Sequence, residues 1–261
     1  MTLSRLQKAE SLGKMIGGKN KNRPLISFRF DDGHSTNYTE GFPRLRDAGM
    51  KGSFCLVPDW MDVPGRITTA QAIEMANAGH EILSHSLTHP RLPQVTDEQL
   101  KKEFIDSKVA LEKKIGKEIK SFSVPQGDYG AREDIYCHSV YRNVTTSKDY
   151  GGIYNPYGRQ KNFYSPFLDT NDFQWAKQRI DYTVQNGGWL IIGIHVLRNL
   201  PVESLGNLDT SISVFEQTID YVKSFMPDGL AVVTVDEGAD LVRGGTSYDL
   251  MTGKNFINPF A

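Results

Sequence analysis

The chain is poor in cysteine, carries no excess of charge of either sign and contains no long apolar run. Each absence removes a class of protein. Two cysteines in 261 residues cannot build a disulfide framework. Cys55 and Cys137 also lie too far apart for a metal knuckle. Cys55 sits in a strand-like run at 52–57 and reads as a small buried thiol; a bridge between the two is permitted but not required. No stretch approaches the ~20 apolar residues of a membrane-spanning helix. Thirty basic and 31 acidic residues are mixed along the chain and leave a net charge of -1, which argues against a polybasic surface for nucleic acid or membrane. The first 23 residues are lysine-rich but lack the apolar core of a secretory signal. No internal repeat is visible.

What the chain does have is alternation. Apolar runs at 25–30, 51–57, 81–84, 120–124, 141–146, 188–195 and 230–235 read as strands. Helical periodicity marks 38–48, 69–78, 97–115, 132–138, 172–185, 212–225 and 236–243. Thr68 or Thr69 caps the second helix, and Thr96 with Gln99 forms a capping box for the third. Gly49, Gly79 and Gly116 stop the first three helices. Residues 149–166, rich in Gly, Tyr, Asn and Pro, read as irregular. Strand–helix alternation argues for an α/β fold with a parallel sheet, either open or closed into a barrel. A length near 250 residues suits a single unit. Residues 1–22 read as an N-terminal segment and linker, 23–243 as one domain, and 244–261 as a tail or linker.

The chemistry lies at strand ends. Phe30-Asp31-Asp32-Gly33 closes the first strand, and His85-Ser86-Leu87-Thr88-His89 follows the third. Val124-Pro125-Gln126-Gly127 follows the fourth, and His195 ends the strand at 188–195. In a (β/α) barrel all such ends open on one face, where active sites sit. Two imidazoles and one carboxylate match a catalytic zinc-type site with an open position. Pleating sends Asp31 and Asp32 in different directions, so one can face a metal and the other a water. Taken alone, Asp-Asp-Gly reads first as a turn after a strand. His85 and His89, four apart and followed by Pro90, point to a tight turn rather than a helix. His195 has a pKa range suited to proton donation near neutral pH.

Together with Gly79-His80-Glu81-Ile82, Phe122-Ser123 and Gly187-Gly188-Trp189-Leu190, these motifs resemble the polysaccharide deacetylase family (carbohydrate esterase family four) over residues 24–242. The resemblance implies a distorted (β/α) barrel of about seven parallel strands and a divalent metal, most often Zn2+. By position it implies Asp32, His85 and His89 as metal ligands, Asp31 as general base and His195 as general acid. A backbone N–H near Gln126, beside Pro125, would hold the oxyanion. His34 and Trp189 are further candidates for substrate contact, and the aromatics Tyr150, Tyr154, Tyr157, Phe163 and Tyr164 either stack on sugar or tether a loop.

The chain also departs from the pattern. Many family members carry an arginine two residues before the motif proline; Ser123 stands there. The first motif often begins with Thr; here it is Arg29. Arg29 shares a strand face with Asp31, so Arg29 either replaces the missing arginine, with Arg142 as the rival partner, or is unrelated to the base and has its charge satisfied elsewhere. The family's Asp-Trp motif has only a faint counterpart in Asp169, Asp172 and Trp175, which read as loop and helix, so the partner of His195 is unassigned.

The resemblance implies hydrolysis of N- or O-acetyl groups on a glycan such as peptidoglycan, capsule or exopolysaccharide, a chitin-like polymer or an acetylated plant polymer. A related metal amidohydrolase acting on a small amide and an inactive glycan-binding module are the alternatives. A two-His-one-carboxylate oxygenase is disfavoured, because such sites ride on all-β scaffolds. The substrate implies action on glycan outside the cell or at its surface, yet no signal peptide is visible; a trimmed chain, a module of a larger secreted protein and part of a virion are the alternatives.

Overall fold

The computed structural model describes residues 23–147, 155, 157 and 160–243. Strand β1 (Pro24–Phe30) is buried along its whole length, and its two faces carry different chemistry. Ile26, Phe28 and Phe30 turn outward into a large core shared with the helices. Leu25, Ser27 and Arg29 alternate with them and turn inward.

The same alternation runs through β2 (Ser53–Leu56), β3 (Glu81–Ser84), β4 (Ser121–Ser123), β5 (Asn143–Thr146), β6 (Asn162–Tyr164) and β7 (Gly188–Ile194). These strands pair in parallel in the order β7-β1-β2-β3-β4-β5-β6. The circle closes between β6 and β7 without a strand ladder. Gly193 N–H donates to Pro166 at 2.7 Å, and Leu168 N–H donates to Gly193 at 2.8 Å. The result is the expected distorted barrel of seven parallel strands. Two further strands, β8 (Val196–Arg198) and β9 (Asp209–Ser211), pair with each other beyond the mouth, and β10 (Ala231–Val232) lies beside the first half of β1.

The helices are α1 (Phe42–Asp47), α2 (Thr69–Asn77), α3 (Asp97–Lys101), α4 (Ser107–Ile115), α5 (Ala131–Val140), α6 (Phe173–Asn186), α7 (Ile212–Lys223) and α8 (Val235–Arg243). Thr68 with Gln71, and Thr96 with Gln99, form capping boxes. The helix expected over 97–115 is interrupted by a π-helical turn, Lys102–Asp106, and a second π-helical turn, Asn37–Gly41, precedes α1. Such turns cluster at functional sites, and each of these aims a side chain at a loop of the barrel mouth, as described below.

Three expectations need correction. Strand β6 lies inside the stretch read as irregular; it is three residues long, too short to show alternation. Strands β8 and β9 are missed for the same reason. The strand expected at 230–235 shrinks to two residues because α8 begins at Val235.

Helix α8 plugs the floor of the barrel. Val235, Ala239 and Val242 pack with Leu25, Phe163, Trp189 and Ile191 in an inner cluster. A Cβ on Gly238 would lie 2.5 Å from the Trp189 indole, so only glycine allows this approach. Trp189 is fully buried and donates from Nε1 to Ser27 Oγ at 2.9 Å. It is a floor residue and cannot contact substrate at the mouth. Phe163 is likewise sealed against Trp189 and is no sugar platform. Tyr157 tethers its segment by donating to the Arg23 carbonyl at 2.9 Å. Tyr150 and Tyr154 lie outside the described residues. Cys55 and Cys137 are buried free thiols.

Glu81, also at the floor, accepts from Ser121 Oγ (2.5 Å), Ser53 Oγ (3.0 Å) and Asp236 N–H (3.0 Å). Burial nonetheless pushes its pKa from 4.5 up to about 7. The native state therefore holds this proton to higher pH than the unfolded chain, so stability falls as pH rises between those values and stays lower above them. Glu81→Gln should remove the loss. Between pH 5 and pH 8 its unfolding free energy should gain roughly 2 kcal/mol relative to wild type, allowing for partial solvent access. Parallel pH–stability curves in urea melts would contradict this.

Candidate active site

The backbone ladder continues one residue past β1, with Asp31 N–H donating to Ile194 at 2.9 Å. Asp31 therefore keeps the inward face of Arg29. Asp32 breaks from the strand with φ +70°, which turns its carboxylate toward the mouth. After β3 the ladder likewise extends to His85, whose N–H donates to Leu56 at 3.0 Å. Ser86 and His89 then adopt φ +64° and +65°, so the histidines sit on a tight loop rather than a helix. Left-handed backbone at three residues other than glycine costs energy and concentrates at functional sites.

The His85–His89 loop is held by Glu103, from the π-helical turn. This buried carboxylate accepts from Leu87 N–H (2.9 Å), Thr88 N–H (3.0 Å) and Thr88 Oγ1 (2.7 Å). His85 Nδ1 lies 2.8 Å from the Ser123 carbonyl and must donate to it. A neutral His85 ring then turns the Nε2 lone pair toward Asp32. Asp32 Oδ1 lies 3.3 Å from His85 Nε2 and 3.2 Å from His89 Nε2, yet no hydrogen bond reaches it in its buried position. One donor atom from each residue falls within 4.8 Å of the others. An orphaned carboxylate oxygen facing two imidazole nitrogens fits a divalent cation, and the anchored Nδ1 of His85 is the support such ligands normally have.

Of the two readings of Arg29, the structure supports the pair with Asp31. Arg29 donates to Asp31 Oδ2 at 2.8 Å and to Thr145 Oγ1 at 3.0 Å, and both charged side chains are almost fully buried. Burial raises the Asp31 pKa, but Arg29, then His85 and His195, outweigh it and leave the carboxyl below its ordinary value. Ser123, in the place of the family arginine, stands 3.4 Å from both Asp31 oxygens. Arg142 is not the partner. It pairs with Asp236 and Asp240 of α8 at the opposite end of the barrel.

His195 Nδ1 bonds the Asp169 carboxylate. Asp169 Oδ1 also accepts from His195 N–H at 3.1 Å and from the buried Thr210 Oγ1 at 2.8 Å. Asp169 is thus the missing partner, despite its place in a loop. Its signal was the faint Asp-Trp echo; Thr210 gave none. Burial disfavours the imidazolium, but Asp169, helped by Asp31 and Asp32, raises the His195 pKa above its ordinary value. Asn37, from the other π-helical turn, donates to the His195 carbonyl at 2.6 Å. Phe167 stacks on His195 at 4.4 Å and lies 5.0 Å from the Arg29 guanidinium. Gly193 makes this possible, since a Cβ there would come within 2.6 Å of the Phe167 ring.

Asp31, Asp32, His85, His89 and His195 line one cleft of about 410 Å³ with Gln126. Gln126 occupies a left-handed turn just after β4 (φ +56°), and the preceding Pro125 is buried. His34 is half-buried and bridged to Arg66; burial and Arg66 lower its pKa to about 4. It does not line the cleft.

Known proteins place this arrangement in context. Residues 18–136 match the polysaccharide deacetylase family. A putative polysaccharide deacetylase of Bacillus subtilis, YxkH, is 30% identical over 111 residues, which is 42% of this chain and 40% of that protein. The match thus spans about two fifths of that relative. The Xyl-CE4 domain of a multidomain xylanase from the hindgut metagenome of Trinervitermes trinervoides aligns over 83% of this chain and 89% of its own, at 18% identity and a TM-score of 0.56. A family 4 acetyl xylan esterase of Clostridium thermocellum, solved with a cobalt ion, aligns over 85% and 95% at 18% identity and 0.56. Both share the fold.

If Asp169 holds the His195 proton, Asp169→Asn should lower the His195 pKa. An NMR titration of the imidazole Hε1 signal reads this directly. An unchanged midpoint would show that Asp169 does not govern the proton.

Proposed function

We propose that this relative of the polysaccharide deacetylases is a metal-dependent hydrolase that removes acetyl groups, on nitrogen or oxygen, from a glycan. One observation carries the reading: Asp32, His85 and His89 converge at the cleft with Asp31 and His195 beside them. Zinc is the ion we favour, and the cobalt in the Clostridium thermocellum esterase supports a divalent ion on this fold. When bound, the ion supplies Lewis acidity, making water nucleophilic near neutral pH and polarising the acyl oxygen.

The chain's own groups do the rest. Asp31, kept ionised by Arg29, takes a proton from the attacking water. His195, kept protonated by Asp169, gives one to the departing amine or alkoxide as the C–N or C–O bond breaks. Acetate and a free amine or hydroxyl leave. The turn at Gln126 is the position from which a backbone donor would meet the developing oxyanion.

Arg29 takes the office of the arginine that many relatives carry two residues before the motif proline. The guanidinium reaches Asp31 from its own strand instead of from β4. A small amide is the second substrate class. An inactive glycan-binding module is the third reading, and the complete acid–base pair speaks against it.

An acetate-release screen over acetylated amino-sugar oligomers, acetylated xylan and small amides tests the proposal. Zinc-loaded protein should turn over a glycan. Asp31→Asn should lose on the order of 10²–10⁴-fold in kcat while retaining one zinc per chain. Full activity in Asp31→Asn, or turnover of small amides alone, would overturn it. The same assay separates the arginines. Arg29→Met should lower kcat with zinc retained, whereas Arg142→Ala should stay within about twofold of wild type in kcat, since its ion pairs with Asp236 and Asp240 lie at the opposite end of the barrel from the cleft. The reverse ranking would remove Arg29 from the role.

A further inference from the structure

His85 and His89 are supported unequally. Ser123 anchors the ring of His85 through Nδ1, and the side chain is 2% exposed. No hydrogen bond reaches Nδ1 of His89 among the described residues, and its side chain is 15% exposed. Something else must fix that ring. The loop after β2 supplies it. Trp60 ends a short 3₁₀ turn, Pro58–Trp60, and its ring lies 4.9 Å from the His89 ring at 36°. The Arg66 guanidinium sits 4.4 Å from the centroid of the same indole and donates from Nη1 to the Asp32 carbonyl at 2.8 Å.

The backbone of this loop is strapped to both ligand loops. Ile67 N–H donates to Gly33 at 2.8 Å, Ser35 N–H donates to Gly65 at 2.9 Å, and Asp59 N–H donates to Leu87 at 3.3 Å. Neither Trp60 nor Arg66 lines the cleft.

We propose that Trp60 and Arg66 form a brace that sets the His89 ring and the Asp32 turn in their ligating positions before a metal arrives. The proposal rests on the hydrolase reading. Asp32 and His89 both occupy left-handed backbone that neither would choose freely. The guanidinium pins the first through its carbonyl. Its cation–π contact holds the indole, and the indole limits the rotamers open to the second. The brace is a positioning device and touches no reacting atom.

Zinc titration calorimetry on the metal-stripped full chain tests it, with wild type, Trp60→Ala, Trp60→Phe and Arg66→Met. Loss of such outer support typically weakens metal binding on the order of 10–100-fold, and Trp60→Ala should show this. Trp60→Phe, which keeps an aromatic face, should recover most of the affinity. Arg66→Met, which keeps bulk without charge, should fall between. Zinc should also change the tryptophan emission of wild type and leave that of Trp60→Phe nearly still. If Trp60→Ala does not unfold cooperatively in urea, the other two variants decide.

Wild-type zinc affinity in all variants, with a raised KM for an acetylated oligosaccharide, would overturn the brace and make Trp60 a sugar platform. A wild-type chain that takes no zinc would overturn the metal site itself, and the brace with it.

Discussion

A buried carboxylate oxygen that faces two imidazole nitrogens without accepting a hydrogen bond from either is a strong constraint on everything around it. Asp32 Oδ1 is that atom. Anchoring of His85 Nδ1 to Ser123 removes the simplest remedy, a neutral ring donating from Nε2. Much of the mouth follows from this constraint. Three residues other than glycine, Asp32, Ser86 and His89, accept left-handed backbone around it. Glu103 braces the histidine loop with three hydrogen bonds, from a π-helical turn that gives up regular helix geometry to reach it.

Around that centre the barrel places the Asp31 carboxylate and the His195 imidazole and joins their surroundings through one ring. Arg29 is buried because Asp31 is buried beside it; neither charge would be stable alone in such a place. Phe167 reaches toward Arg29 and stacks on His195, and Gly193 on β7 leaves it the room. The glycine thus serves the site twice, since its backbone also closes the barrel between β6 and β7. On the other side of His195, Asp169 accepts from Thr210 of β9, so the small β8–β9 sheet bears on the partner of His195.

The legible parts of the sequence were those whose signal is local. Strand ends marked by Asp-Asp-Gly and His-x-x-x-His can be read in a few residues. So can the Thr96 capping box, and so can the Arg29–Asp31 pair, which follows from the period of two in a strand. The parts that were missed depend on distant chain. Asp169 becomes the partner of His195 only because the β6–β7 seam brings 166–169 against Gly193. Trp189 sits in a motif near His195, yet it faces the floor because α8 fills that end of the barrel. Strands of two or three residues carry too few positions for a pattern. The π-helical turns leave no trace in apolar periodicity, since their value lies in what Asn37 and Glu103 touch.

The claim on which the account turns is that Asp32, His85 and His89 grip one cation. Anomalous diffraction from zinc-soaked crystals, recorded on both sides of the zinc absorption edge, tests it most directly. The account predicts a single strong peak within bonding distance of Asp32 Oδ1 and the Nε2 atoms of both histidines, with Asp31 unligated beside it. An empty cleft under saturating zinc, or a peak bound elsewhere on the chain, would contradict it.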